Sequence, residues 1–199
     1  MLISGPSGSG KSTLIKRLIA EFKDELYFSI SSTTREMREG ETDGVNYRFI
    51  SESEFRAGID RGEFLEWANV HGKFYGTSLK AVTSELERGK TVLFDIDVQG
   101  YEIVRGKVPH SELASVFITT PSLSELRARL QARGSNADTD IALRLQNAQE
   151  EIKRLGEYDY LIINDRLEQA YENFRSIYKA IKCETISRDV GKLIEIWKI

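Results

Sequence analysis

A glycine-rich segment near the start of the sequence constrains the fold more than any other feature. Residues 5–12 read G-P-S-G-S-G-K-S, which matches the pattern G-x-x-x-x-G-K-[ST]. An apolar stretch precedes this phosphate-binding loop and a helical pattern follows it, the context in which such a loop binds phosphate. Its glycines let backbone N–H groups converge on phosphate oxygens, and the helix directs its positive end at the same place. The loop predicts a nucleoside triphosphate site; a glycine-rich turn that binds nothing is the alternative.

Every residue of the loop is a candidate nucleotide ligand. Lys11 is expected to reach the β- and γ-phosphates, and the Ser12 hydroxyl is expected to coordinate Mg²⁺. The motif alone does not separate a kinase from a GTPase, an ATPase or a non-catalytic binder. The candidate ligands are Gly5, Pro6, Ser7, Gly8, Ser9, Gly10, Lys11 and Ser12.

Short apolar runs alternate with helical periods along much of the chain, which predicts an α/β fold with a mostly parallel five-stranded sheet flanked by helices. The predicted strands are Met1–Ile3, Tyr27–Ile30, Thr91–Phe94, Ser115–Ile118 and Tyr160–Ile163, of which the last three are expected to be buried. Helical apolar spacing is clear from Leu14 to Phe22 and from Leu167 to Ile181. Serines followed three residues later by glutamate predict two further helix starts, at Ser51 and Ser122.

Residues 33–80 interrupt this rhythm with charged, glycine and aromatic residues and with strand-like pieces at Tyr47–Ile50 and Phe64–Val70. We therefore predict a P-loop core formed by residues 1–32 and 81–199 and an inserted mixed α/β lobe at 33–80. The polar stretch Gly134–Asp140 lies between helical segments and is bracketed by arginines, which favours a mobile flap. We place a helical lid at about 127–145.

The run Thr91–Asp97 is an apolar strand that ends in two acids, the form of a carboxylate element near a nucleotide-bound metal. Strand alternation would point Asp95 and Asp97 to the same side. Asp95 is the candidate metal residue beside Ser12. The alternative is that Asp97 caps the next helix, and a carboxylate can do both.

Composition excludes several other classes. The net charge is only −3 with 30% charged residues, so no overall field favours nucleic acid or an anionic membrane. Cys183 is the only cysteine, and the two histidines, His71 and His110, show no metal-ligand spacing. No apolar stretch approaches bilayer length and the glycine-rich loop begins within five residues, so we expect neither a signal peptide nor a membrane span and a cytoplasmic protein. The oligomeric state stays open.

Two arginines follow a hydroxyl cluster in Ser31–Glu41, with a tyrosine further on. The guanidinium groups of Arg35 and Arg38 and the hydroxyl of Tyr47 could surround a terminal phosphate with charge-assisted bonds. Solvated loop charges are the alternative.

These segments resemble the guanylate kinase family over nearly the whole chain. The resemblance rests on S-S-T-T-R-x-x-R-x-G-E from Ser31, on Phe64–Ala68, on Tyr75-Gly76-Thr77 and on Asp95–Gly100, in the family's order and spacing with the loop. It implies that Arg35, Arg38, Tyr47 and Tyr75 hold the phosphate of GMP, with Glu41 positioning the arginines. It also implies that Ser31, Glu66 and Thr77 face guanine, with Asp97 close by, and that Arg129, Arg133 and Arg144 of the lid contact the phosphates during transfer. Arg127 has no matching role.

The resemblance implies transfer of the γ-phosphoryl of ATP, with Mg²⁺, to GMP or dGMP, giving ADP and GDP or dGDP. Guanine offers N1–H and N2–H₂ donors, which suit a buried carboxylate, whereas adenine lacks that pair. A non-catalytic interaction module of the same fold and a kinase acting on a ribose phosphate are the alternatives. The intact Gly10-Lys11-Ser12 argues against the first, and Glu66 with its two hydroxyl residues argues against the second.

The apolar residues of the tail have two possible uses, packing on the core or forming a contact surface, and core packing is favoured. They are Leu193, Ile194, Ile196, Trp197 and Ile199.

Overall fold

The apolar runs of the sequence form strands close to the predicted positions. The computed structural model describes residues 1–70, 72–132, 138–184 and 190–197. In chain order, its strands are β1 (Leu2–Ser4), β2 (Leu26–Phe28), β3 (Ser32–Thr33), β4 (Arg48–Phe49), β5 (Phe64–Val70), β6 (Lys73–Ser78), β7 (Thr91–Asp95), β8 (Ser115–Thr119) and β9 (Tyr160–Ile163).

Helices separate most of these strands. Two short 3₁₀ segments, His110–Glu112 and Ile152–Glu157, complete the regular structure of the described residues. The α-helices are α1 (Lys11–Glu21), α2 (Glu52–Asp60), α3 (Leu79–Glu87), α4 (Val98–Lys107), α5 (Leu123–Ala132), α6 (Asp138–Glu151), α7 (Leu167–Ile181) and α8 (Val190–Ile196).

The larger sheet has the predicted number of five strands, and their order is β2-β7-β1-β8-β9. The pairs β2/β7, β1/β7 and β8/β9 are parallel. Within the described part of the chain, these five strands are the five that the sequence predicted, and each differs from its predicted range by no more than two residues at either end. The predicted fold class is confirmed.

The smaller sheet has the order β4-β3-β6-β5 and, apart from Ser32 of β3, lies within the segment 33–80 predicted as an inserted lobe. It is mixed, because β3 and β4 are parallel whereas β3/β6 and β5/β6 are antiparallel. A stacked pair of rings, Phe55 and Phe64 with centroids 4.4 Å apart, joins α2 to β5. The predicted capping box begins α2, since the Ser51 hydroxyl accepts the Glu54 N–H while the Glu54 carboxylate accepts the Ser51 N–H.

The chain divides into two compact units. Unit 1 consists of Met1–Ile3 and Ile19–Lys107, and unit 2 consists of Ser4–Leu18 and Val108–Ile199. The smaller sheet belongs to unit 1, and the phosphate-binding loop belongs to unit 2. No described helix is long and apolar enough to cross a bilayer.

One expectation about strand burial is wrong, and two apolar residues at helix starts are exposed. The strand Tyr160–Ile163 is not buried throughout, because Leu161 and Ile163 are exposed; β9 is an edge strand of its sheet, which leaves part of its surface uncovered. Leu123 and Leu167 are also exposed, since each is the first residue of its helix and lies beyond the stretch that packs.

The tail differs from the favoured expectation as well. The apolar side chains described in α8 and at the residue after it do not pack on the core but are exposed to solvent. These are Ile194, Ile196 and Trp197, and the side chains of Leu193 and Ile199 lie outside the described residues.

Candidate active site

The three glycines of the phosphate-binding loop adopt a backbone conformation that other residues rarely reach, and two of them are also closely approached by other atoms. Gly5 and Gly10 have φ angles of 138° and 93°. A Cβ atom on Gly5 would lie 2.0 Å from the Ile118 carbonyl oxygen, and one on Gly10 would lie 2.2 Å from Asn164 Nδ2. Because only glycine combines this φ with such close approach, these two positions hold the loop backbone in place before α1.

Lys11 opens α1, and its ammonium group donates to the carbonyl oxygens of Gly5 and Pro6. Both acceptors are neutral, so neither cancels the charge of Lys11. Ser12, the next residue, has an exposed side chain. The helix start therefore presents a cation and a hydroxyl beside backbone N–H groups, and these are the groups that bind phosphates at the start of a helix.

Asn164 joins three parts of unit 2. It is 4% exposed and directly follows β9. Its Nδ2 donates to the Ser9 carbonyl over 2.7 Å, its backbone N–H donates to the Thr119 carbonyl over 2.7 Å, and its carbonyl accepts from Arg129 Nη2 over 2.8 Å. The predicted site residues do not include Asn164. A usable signal was present, because a polar residue directly after an apolar strand lies at the edge where α/β sheets bind ligands.

Two of the predicted lid arginines contact this region. On α6, Arg144 Nη1 donates to Ser7 Oγ of the loop over 2.8 Å, and Nε donates to Asp140 over 3.1 Å. On α5, Arg129 Nε donates to Glu125 over 2.8 Å, in addition to the bond with Asn164. Both guanidinium groups are therefore held within hydrogen-bonding networks of unit 2.

The remaining arginines of the predicted lid give less information. Arg133 lies outside the described residues, as do residues 134–137 of the predicted flap. Arg127 is exposed.

In unit 1, Arg35 and Glu41 form a bidentate ion pair. Arg35 Nη2 and Nη1 lie 2.7 and 2.9 Å from the two carboxylate oxygens of Glu41, and Glu41 also accepts the Arg38 backbone N–H over 2.8 Å. The hydrogen bond from Arg35 holds the pKa of Glu41 below its usual value, and Glu41 in turn raises the pKa of Arg35. Glu41 thus binds the side chain of one arginine and the backbone of the other.

Aromatic rings surround this pair. The guanidinium of Arg35 lies 5.3 Å from the ring centroid of Tyr47 and 5.5 Å from that of Phe49. Tyr47 and Tyr75 meet edge to face at 5.8 Å. Burial raises the pKa of Tyr47, so its hydroxyl stays protonated and able to donate. Arg38 extends from the cluster with an exposed side chain.

A buried carboxylate lies in the same unit. Glu66 is 4% exposed, and Thr77, which is fully buried, donates its hydroxyl to Glu66 Oε1 over 2.6 Å. Burial raises the pKa of Glu66 to about 7; the Thr77 hydrogen bond opposes this rise and the charge of Asp97 adds to it. Ser31 is half-buried just before β3, and its carbonyl accepts the Arg48 N–H. A carboxylate held this way is suited to a ligand that presents N–H donors.

The two acids after the third predicted strand have different positions. Asp95 is the last residue of β7 and is half-buried. Asp97 lies beyond the strand, so the alternation argument does not reach it. Its Oδ1 accepts the Gly100 N–H over 2.8 Å, and its carbonyl accepts the Tyr101 N–H. Asp97 therefore caps α4, which is the alternative role that the sequence offers for it.

The predicted residues therefore fall into two sets. The loop, Arg129 and Arg144 lie in unit 2, and the residues predicted to bind GMP lie in unit 1 together with Asp95.

Comparison with known proteins assigns a family to this arrangement. A family model described as guanylate kinase matches residues 1–181. A guanylate kinase of Campylobacter jejuni (strain RM1221) is 56% identical over 197 residues, which cover 99% of this chain and 96% of the relative. This chain belongs to the guanylate kinase family.

Further guanylate kinases support the assignment. One from Helicobacter pylori (strain 26695) is 46% identical over 198 residues, covering 100% of this chain and 95% of the relative. The crystal structure of guanylate kinase from Anaplasma phagocytophilum superimposes with a TM-score of 0.78 at 29% identity, covering 98% of this chain and 93% of that one. The predicted family, fold class and enzyme class are confirmed.

Proposed function

We propose that this chain transfers the γ-phosphoryl of ATP to GMP or dGMP through the residues described above, giving ADP and GDP or dGDP. Membership of the guanylate kinase family supports an ATP:GMP phosphotransferase and does not favour the interaction module or the ribose phosphate kinase. The observation that carries the choice of acceptor is the buried Glu66, hydrogen-bonded to Thr77 in the same unit as the Arg35–Glu41 pair.

On the acceptor side, Glu66 accepts the N1–H and N2–H₂ groups of guanine, and the hydroxyls of Ser31 and Thr77 complete the contacts with the base. The charge of Asp97 raises the pKa of Glu66, so Asp97 acts on the same carboxylate. Adenine would leave the Glu66 carboxylate without donors, and sites built on such bonds discriminate by about 10⁴-fold or more.

The phosphate of GMP is held by Arg38, Tyr47, Tyr75 and the fork of Arg35. Glu41 keeps Arg35 in a single orientation through two hydrogen bonds, so little side-chain entropy is lost when the phosphate binds.

On the donor side, the loop from Gly5 to Ser12 holds the ATP phosphates, with Lys11 at the β- and γ-phosphates. Mg²⁺ binds oxygen ligands and usually takes only one or two of them from protein side chains. The exposed Ser12 hydroxyl and the Asp95 carboxylate fit that preference. Bound Mg²⁺ would neutralise part of the triphosphate charge. No group of three or more histidine, cysteine, aspartate or glutamate residues within the described residues forms a separate metal cage.

Catalysis then depends on alignment and on charge, because the acceptor phosphate is already anionic and needs no strong base. Lys11, Arg129, Arg133 and Arg144 stabilise the negative charge that spreads over the transferring group. Arg144 is held at the loop by Ser7, and Arg129 by Asn164. Closure over the nucleotides would exclude water that could otherwise accept the phosphoryl group.

The domain organisation follows the same proposal. Residues 1–32 and 81–199 form the kinase core with a lid at about 127–145, and residues 33–80 form the GMP-binding lobe. We further propose a cytoplasmic protein whose partners are its two nucleotide substrates, with no role for nucleic acid or membrane.

A coupled assay with ATP and four acceptors tests the proposal: GMP, dGMP, AMP and ribose 5-phosphate. GMP and dGMP should be turned over far faster than the other two. Equal turnover of GMP and AMP would refute the guanine assignment. In the matched variants, Glu66→Ala should chiefly remove the preference for GMP over AMP, whereas Lys153→Ala, at an exposed lysine paired with Glu150, should leave it unchanged.

A further inference from the structure

A β-bulge lies directly before the carboxylate proposed to bind guanine. Phe64 pairs with Ser78, but Glu66 pairs with Thr77, so β5 has one more residue than β6 at this point. The extra residue is Leu65. A bulge interrupts the ladder of hydrogen bonds and changes the direction of the side chains that follow it. Here it places Glu66 opposite Thr77, its hydrogen-bond partner.

Lys107 supplies a hydrogen bond at the bulge. Its Nζ donates to the Leu65 carbonyl oxygen over 2.7 Å, although the two residues are 42 positions apart. Lys107 is the last residue of α4, which packs against β5. A backbone carbonyl at an interrupted ladder needs a partner, and the ammonium group provides a charge-assisted one.

The other end of α4 also approaches Glu66. A Cβ atom on Gly100 would lie 3.0 Å from Glu66 Oε2, so any other residue there would make the carboxylate shift by about a few tenths of an ångström. The Asp97 side chain holds Gly100 by accepting its N–H. One helix therefore contacts the bulge through its last residue and limits the position of the Glu66 carboxylate near its first turn.

We propose that Lys107 is a positioning residue for guanine recognition, which fixes the β5 bulge through the Leu65 carbonyl and so directs Glu66 toward the base. The inference rests on the proposed function, since it concerns how the same site selects GMP. Lys107 touches neither the base nor the phosphate in this role; it acts through Leu65 and Glu66.

The charges around Glu66 give this role a distinct signature. The positive charge of Lys107 lowers the pKa of Glu66, and Asp97 raises it. The titratable residues of β6 lie further along the ladder, with Tyr75 opposite Ala68 and Lys73 opposite Val70.

A second helix, α3, packs on both β5 and β6. Its buried acid, Glu85, pairs with Lys90 and Arg88, while Lys80 and Glu87 are exposed. Because the charge of Lys107 lowers the pKa of Glu66, removing Lys107 should raise this pKa. Guanine binding needs the carboxylate form, so as the pH falls it should begin to weaken at a higher pH than in wild type.

The test compares Lys107→Met, Lys107→Arg and Arg105→Met. Arg105 lies on the same helix, with its guanidinium 5.9 Å from the centroid of the Tyr101 ring, and serves as the matched control for loss of a cation. Steady-state kinetics with GMP and AMP and calorimetric GMP binding are measured from pH 6 to 9. For Lys107→Met we expect KM and Kd for GMP to rise about tenfold, the size of one charge-assisted hydrogen bond.

The other readouts separate positioning from a general loss of structure. The kcat of Lys107→Met at saturating GMP should stay within about twofold of wild type, and its KM profile should shift to higher pH. Lys107→Arg should recover most of the affinity, and Arg105→Met should match wild type. Gly100→Ala should weaken GMP binding without the shift in pH, because it displaces Glu66 and leaves the charge of Lys107 in place.

A folded Lys107→Met protein with wild-type KM and an unchanged pH profile would overturn the inference, as would equal losses in Lys107→Met and Arg105→Met. If Lys107→Met does not fold, Lys107→Gln, which also removes the charge, is judged by the same two outcomes. Failure of the proposed function looks different: the wild-type protein itself would then bind GMP no better than AMP.

Discussion

Replacing Glu66 by glutamine should stabilise the folded protein at neutral pH, because the buried carboxylate of the native side chain is destabilising there. Glu66 is 4% exposed, and burial raises its pKa from 4.5 to about 7. Glutamine has the same shape and keeps an oxygen that can accept the Thr77 hydroxyl. The substitution therefore removes the buried charge and leaves the packing in place.

The size of the effect follows from the two pKa values. The unfolded chain releases the Glu66 proton near pH 4.5, and the folded protein releases it near pH 7. The folded state thus binds more protons between these values, so its stability falls as the pH rises through this window and is constant above it. A shift of this size corresponds to about 3 kcal/mol. Glu66→Gln should match wild type near pH 4.5 and be more stable by up to about 3 kcal/mol at pH 8.

Urea unfolding of both proteins without nucleotide, at half-unit steps from pH 4.5 to 8.5, measures the difference directly. Glu85→Gln is the control with the opposite sign. Hydrogen bonding to Lys90 lowers the pKa of Glu85 below 4.5, so this variant should be less stable than wild type throughout this pH range, and its difference from wild type should not grow as the pH rises from 6 to 8.5. A difference between Glu66→Gln and wild type that stays constant over the whole pH range would refute the reasoning.

Three further predictions concern the two nucleotide sites. Lys11→Ala should lower kcat by about 100-fold or more, because it removes the proposed charge at the transferring group, and unchanged GMP turnover would contradict this role. Asn164→Ala leaves the Ser9 carbonyl without its 2.7 Å donor, so it should lower the free energy of unfolding by about 1–3 kcal/mol and raise KM for ATP. KM for GMP is the internal control, and an effect on KM for GMP alone would exclude a role at the loop. Arg35→Lys keeps a cation but loses the bidentate contact with Glu41, so KM for GMP should rise about tenfold, and wild-type kinetics would show that the fork is dispensable.

The sequence predicts the parallel sheet well because its strands are short apolar runs and few other structures bury such runs. It fails where burial depends on neighbours. Tyr160–Ile163 has its predicted bounds, yet Leu161 and Ile163 are exposed, since a run of apolar letters does not show that a strand lies at the sheet edge. β6 is not predicted at all. Its interior glycine, Gly76, weakens the strand pattern, and a Cβ there would lie 2.9 Å from the rings of Phe55 and Phe64, so tertiary packing explains that glycine.

The residues of the candidate site also divide into those that the sequence predicts and those that only the structure reveals. The residues predicted to bind GMP lie within local motifs, and three of them, Arg35, Glu41 and Glu66, are found in unit 1. Residues that act through the backbone do not form motifs with their partners. Asn164 binds a carbonyl 155 positions away, and Lys107 binds one 42 positions away. Their significance depends on a fold that brings distant carbonyls within reach, and a single sequence does not contain those distances.

The two proposed phosphate sites hold their cations by different means, and the difference bears on what each site would do. Lys11 is held by the neutral carbonyls of Gly5 and Pro6, so its full charge remains for a triphosphate whose charge changes during transfer. Arg35 is paired with Glu41, which offsets its charge and fixes its fork. In the proposed acceptor site, orientation is therefore gained at the expense of attraction. Arg38 contacts Glu41 through its backbone N–H and carbonyl, so its exposed side chain keeps the charge that would attract GMP. An acceptor that must be aligned for in-line attack requires orientation, whereas the donor site must stabilise charge.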